Sequence, residues 1–133
     1  MRKIIIILFL FQASPAFAQK NSTMLVNNII NQIANRNVYE LSNTIGFSGK
    51  PSQQLILLDS LMANSTIENL LNNAQYHTSA VVRLYCYKAL LLNSIIMPAF
   101  LKKQFHTDNN EVLTVSGCLM QNTTVKEFYL QYF

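Results

Sequence analysis

Residues 111–118 read Glu111-Val112-Leu113-Thr114-Val115-Ser116-Gly117-Cys118, and how they fold decides the class of the whole chain. Val112, Thr114 and Val115 are β-branched, and branched side chains sit best on a pleated strand. The segments around them read as helix: between residues 19 and 133 Gly and Pro are scarce, and apolar residues recur at helical spacing. Strand or helix here is the difference between a mixed chain and an all-α one.

Upstream, Asp108-Asn109-Asn110 reads as a turn, and Pro98 suits the first turn of a helix over 99–105. Ser79 can cap a helix running from Ala80 to Asn93. Val81, Val82, Leu84, Tyr85, Cys86, Tyr87, Ala89, Leu90, Leu91 and Leu92 make it apolar on every side. A helix of that kind belongs at the centre of a fold. Its charges, Arg83 and Lys88, must snorkel outward or find partners.

Before it, Ser65 and Glu68 have the spacing of a capping box ahead of Leu70 and Leu71. A helix over 53–63 turns Leu55, Leu58, Leu61 and Met62 inward, and Asp59 falls at the boundary of its apolar face. Residues 35–52 read as a long connection holding Gly46, Gly49 and Pro51, with Tyr39, Leu41, Ile45 and Phe47 packing it over the core. A first helix, capped by Ser22 or Thr23, carries Leu25, Val26, Ile29, Ile30 and Ile33 at i, i+4 spacing. Downstream of 118, Thr123 or Thr124 caps a last helix with Val125, Phe128, Tyr129 and Tyr132 on its apolar side.

The run Val82-Arg83-Leu84-Tyr85-Cys86-Tyr87-Lys88-Ala89-Leu90 resembles the inner helix of a HEAT-type repeat, V-R-x-x-A-x-x-A-L. Small residues at its fifth and eighth positions, here Cys86 and Ala89, let a partner helix approach closely, and residues 66–74 supply that outer helix. The resemblance implies that Arg83 bonds an acidic side chain in the preceding turn or the next repeat. His77 and Thr78 stand where the preceding acid is usual, and Asp108, in the turn before a weaker second copy where the pattern expects an Asp, is the candidate ion-pair partner that the resemblance implies. A weaker second copy aligns Val112 with Val82, Ser116 with Cys86 and Leu119 with Ala89, although Leu113 replaces the Arg and Gly117 weakens the helix. On that alignment 111–118 is helical. The chain is then expected to be all-α, a compact domain of about five to six helices with a HEAT-like pair, the state of 111–118 staying open.

The first residues set the expected compartment. Arg2 and Lys3 precede an unbroken apolar run over 4–11; Gln12, Ser14 and Pro15 end it, and Ala16-Phe17-Ala18 offers small residues for a signal peptidase. A membrane-spanning helix needs about 20 apolar residues, so the expectation is a signal peptide over 1–18, cleavage near Ala18, a single helical domain over 19–133, and a periplasmic or secreted protein with no membrane insertion after cleavage. Loss of Arg2 and Lys3 from ten Lys and Arg leaves eight against six acids, a net charge of +2 instead of +4. Lys102-Lys103 is the one adjacent basic pair in that part, too little for nucleic acid.

Export would also place Cys86 and Cys118 in an oxidising compartment, where a bridge between them is a candidate if the two repeat copies stack. Against it, Cys86 occupies a small-residue slot where a free thiol acts as a hydrophobe. No H-x-x-x-H, C-x-x-C, calcium loop, phosphate loop or G-x-S-x-G motif occurs, so no catalytic, cofactor or metal residue is expected. Three functions follow: an exported non-catalytic module for an unknown protein partner; an inhibitor or immunity protein against an envelope-acting enzyme; and a small thiol hydrolase using Cys118 with His77 or His106. The third requires a concave site gathering His77, His106, Cys118, Asp108 or Glu111.

Overall fold

The computed structural model describes the backbone from Pro15 and the side chains from Ser22 onward. The expected signal peptide therefore lies largely outside the described residues, and the backbone of α1 runs through its expected cleavage point. In order, the elements are α1 (Pro15–Arg36), β1 (Val38–Ile45), β2 (Lys50–Pro51), α2 (Gln53–Asn64), α3 (Ile67–Tyr76), α4 (Ala80–Leu92), α5 (Ala99–Thr107), β3 (Glu111–Gly117), β4 (Leu119–Thr124) and α6 (Val125–Tyr132). The fold is α+β, which corrects the all-α expectation.

A four-stranded sheet of order β2-β1-β3-β4 accounts for the difference. Its centre is a parallel pair, with Val38, Tyr39 and Glu40 of β1 beside Leu113, Thr114 and Val115 of β3. Residues 111–118 thus follow their β-branched side chains, and the second repeat copy is a β-hairpin instead of a helix. The connection expected over 35–52 contains strand β1 and a tight turn. α3 and α4 form a helical hairpin, while the stretch aligned as the second copy supplies two strands in place of a helix to stack on it.

Local signals fix most helix ends. Ser79 Oγ accepts from Val82 N at the start of α4, and Ser52 Oγ accepts from Leu55 N at the start of α2. Thr124 and Glu127 form a reciprocal capping box on α6. The cap of α3 is Thr66, one residue past the expected Ser65, whose backbone N–H closes α2 on Leu61 O. Asn37, at φ 47°, ends α1 in the left-handed conformation that Asn tolerates better than most residues.

α4 lies at the centre, with Ala80 to Tyr87 and Ala89 and Leu90 buried. Tyr39 of β1 stacks on Tyr85 of α4 at 4.3 Å between centroids and tilts against Phe128 of α6 at 4.5 Å. Tyr87 meets Phe105 of α5 at 4.6 Å and Tyr129 of α6 edge-on at 5.4 Å. These rings join the sheet to α4, α5 and α6. Val26, Ile29, Ile30 and Ile33 of α1 and Leu58 and Leu61 of α2 complete the core.

Candidate functional site

Two turns meet at one end of the sheet. Gly46 and Gly49 both have positive φ, and Gly49 N donates to Gly46 O at 3.1 Å, so the chain reverses between β1 and β2. Gly117, at φ 59°, and Cys118 connect β3 to β4, with Ser116 paired to Leu119. A positive φ at the first central residue is the geometry of a type II′ hairpin. Gly46 N donates to Gly117 O at 2.9 Å and Gly117 N donates to Ser42 Oγ at 2.7 Å, tying the two turns together.

This tied tip presents apolar side chains to solvent. Phe47 is 100% exposed, Leu119 77% and Met120 73%, and the exposed Cys118 sits in the β3–β4 turn. Scattered surface apolar residues are ordinary, but here three large ones stand on or beside two turns that are hydrogen-bonded to each other. The sequence signal was available: a Gly-x-x-Gly pair and a Gly-x pair, each following β-branched residues. On the repeat alignment Gly117 reads instead as a weak point in a helix.

A buried polar network gathers around Glu40 of β1. Glu40 is 2% exposed; Arg36 Nη2 donates to its Oε1 at 2.8 Å, and Ser52 Oγ and Gln54 N (3.1 Å) donate to Oε2. Tyr85 Oη accepts from Glu40 N at 2.9 Å. Burial pushes this carboxyl up, but the Ser52, Arg36 and Gln54 hydrogen bonds outweigh it and hold the group below its ordinary value. Gln54 Nε2 donates to Val38 O at 2.7 Å and Ile33 O at 3.3 Å. Glu40 thus caps the start of α2 and pins α1, β1 and α2 to one another. A cleft bordered by Arg36, Ile45, Lys50, Pro51 and Gln53 opens above it.

Arg83 lies within 2.5 Å of Asp108 Oδ2 and its Nη1 donates to His77 O at 2.8 Å and Thr78 O at 3.1 Å. Main-chain carbonyls of 77 and 78 stand in for the acid missing there. Asp108 Oδ1 accepts from Asn110, while Lys126 N donates to Asp108 O at 2.9 Å. The pair therefore fastens α4 to the approach to β3 and to the first turn of α6. His77 Nδ1 accepts from Ser79 N at 3.0 Å, and burial and the Arg83 charge lower its pKa, favouring the neutral ring that this bond requires.

The other sequence candidates are not gathered. His106 packs edge-on against Tyr129 at 4.7 Å. Glu111 opens β3 and Cys118 follows its end, separated by a strand of about 20 Å. Among the described residues no three His, Cys, Asp or Glu side chains gather as a metal site would require. Asp59 is exposed on α2.

Cys86 and Cys118 are both free thiols, the first buried in α4 and the second exposed in the β3–β4 turn. The candidate bridge is not formed: the helix stacking it relied on is replaced by a hairpin. Burial pushes the Cys86 thiol up to about 12, so its nucleophilic thiolate is scarce at neutral pH. Iodoacetamide on the native protein is expected to alkylate Cys118 only, with Cys86 reacting after unfolding; mass mapping that finds Cys86 modified at a similar rate would contradict its enclosure.

No family model matches the chain, and no curated protein shows significant similarity to it. Among the described residues no helix is long and apolar enough to cross a membrane.

Proposed function

We propose that the protein is an exported, non-catalytic interaction module that binds a protein partner through the apolar tip of its sheet. The observation that supports this is Phe47, fully exposed at the head of a turn locked to the Gly117–Cys118 turn by the Gly46–Gly117 hydrogen bond. A rigid pair of turns presents its apolar side chains with little conformational freedom left to lose, which favours binding.

Placing a photo-crosslinking amino acid at Leu119 in producing cells tests the reading. A discrete adduct is expected there and none from a control position at exposed Lys103. Phe47→Ser is expected to reduce the adduct roughly 10- to 100-fold, since burial of such a side chain contributes about 1.5–3 kcal/mol. Its thermal midpoint should stay close to that of the parent. Absence of an adduct at the tip, or an adduct indifferent to Phe47→Ser, would count against the proposal.

A further inference from the structure

The loop between α4 and α5 is held at both ends and apolar at its crest. Ser94 has φ 59°; its N–H donates to Leu91 O at 2.9 Å, and Ile95 N donates to Leu90 O at 3.0 Å. These two bonds make a Schellman closure of α4, built on a serine where glycine is usual. Ile95 packs against the core, Met97 is 5% exposed, and Pro98 O accepts from Leu101 N and Lys102 N at the start of α5. Between these anchors Ile96 is left 91% exposed. Leu92, at the end of α4, is 55% exposed, and Phe100, in the first turn of α5, is 53% exposed. Each is four residues from Ile96, at most about 14 Å of chain, so the three share one corner of the molecule.

Positive charge adjoins this crest. Lys102 and Lys103 are exposed on α5, about 3–4.5 Å along the helix axis from Phe100. Neither belongs to an ion pair among the described residues. The chain has no acid between Glu68 and Asp108, and the Asp108 carboxylate is engaged by Arg83.

We infer that this corner is a peripheral docking site for an anionic lipid surface, with Ile96 and Phe100 among the headgroups and the two lysines on the lipid phosphates. Charge complementarity selects the occupant. An apolar crest beside unpaired lysines is the pattern that lies in a membrane interface, and the negative surface potential of anionic lipid attracts such lysines. Lysine stems are long enough to keep their ammonium groups at headgroup level while the crest sits deeper. The contact is shallow: Ile95 and Met97 stay in the core, and among the described residues no helix is long and apolar enough to cross a membrane. The site shares no residue with the Phe47 tip and does not depend on it.

Flotation of the purified protein with vesicles tests the inference, using phosphatidylcholine alone and phosphatidylcholine mixed with phosphatidylglycerol in equal parts. Binding is expected on the mixed vesicles and should fall as salt screens the lysines; on phosphatidylcholine alone it should be much weaker. Lys102→Gln with Lys103→Gln is expected to weaken binding about 30-fold, the combined attraction of two lysines to an anionic surface. Ile96→Ser should weaken it about tenfold, and both variants should keep the parent's unfolding midpoint. Phe47→Ser should bind vesicles like the parent, so failure of this site and failure of the tip are told apart. The chain has no Trp, which makes Ile96→Trp a single reporter. Its emission should shift to the blue on the mixed vesicles, and that of Phe47→Trp should not. Apolar N-terminal residues retained on purification are the same in every variant, so vesicle binding that Ile96→Ser and the lysine pair both leave unchanged overturns the inference. So does an unshifted Ile96→Trp, equal binding to the two kinds of vesicle, or no binding to either, even where this corner captures an acidic protein.

Discussion

Arg83→Met is expected to destabilise the protein by about 3–5 kcal/mol, the cost of leaving one member of a buried ion pair alone. The Arg83 and Asp108 side chains are 6% and 7% exposed, so neither can turn to water without moving the backbone. The guanidinium also satisfies the His77 and Thr78 carbonyls at the entry to α4, and a thioether side chain cannot. Domains of this size hold about 5–15 kcal/mol in total, so this one change consumes a large fraction. Asp108→Asn is the milder companion, because an amide oxygen can still accept from Arg83. Urea unfolding of both variants and their double mutant gives the coupling energy directly. A loss below about 1 kcal/mol for Arg83→Met would mean that solvent reaches the pair.

Glu40→Gln is expected to cost about 2–4 kcal/mol, since hydrogen bonds to a charged group are worth about 1.5–3 kcal/mol each. The carboxylate accepts on both oxygens, from Arg36 on one side and from Ser52 and Gln54 on the other. An amide offers one acceptor and one donor, so one side must face donor against donor. The same network gives a pH dependence of definite sign. The folded carboxyl titrates below its ordinary value, so the unfolded chain takes up a proton first as pH falls. The Glu40 contribution is complete above the unfolded glutamate pKa of about 4.3 and is lost as pH drops through the lower folded value. Urea midpoints should therefore fall more steeply with acid in the parent than in Glu40→Gln. Parallel pH profiles would show that Glu40 is not the linked group.

Glu40 also shows where sequence reading stopped. Between Val38 and Ile45 it is the one charged residue, in a stretch with the polar residues Ser42, Asn43 and Thr44. Locally that is a polar connection with a few apolar anchors. It becomes a strand because Val38 to Glu40 find Leu113 to Val115, over 70 residues along the chain, and a parallel pair can form only across such a crossover. Once β1 is paired, Glu40 lies under the start of α2, and its charge turns from a mark of exposure into a cap. The tip follows from the same event, because the Gly46 and Gly117 turns meet only after β1 and β3 lie side by side.

The sequence by itself determined the helices over residues 53–64, 67–76, 80–92, 99–107 and 125–132 to within one or two residues at most ends. Their caps and apolar spacing are interactions within one or two turns, so local chemistry suffices. It also marked the all-round apolar α4 as the centre. Only the tertiary structure decided that Glu111-Val112-Leu113-Thr114-Val115-Ser116-Gly117 is a strand, because its β preference and its repeat-like spacing pointed in opposite directions. Strand propensity reflects packing against neighbours more than the backbone alone, and the deciding neighbour, β1, is remote in sequence.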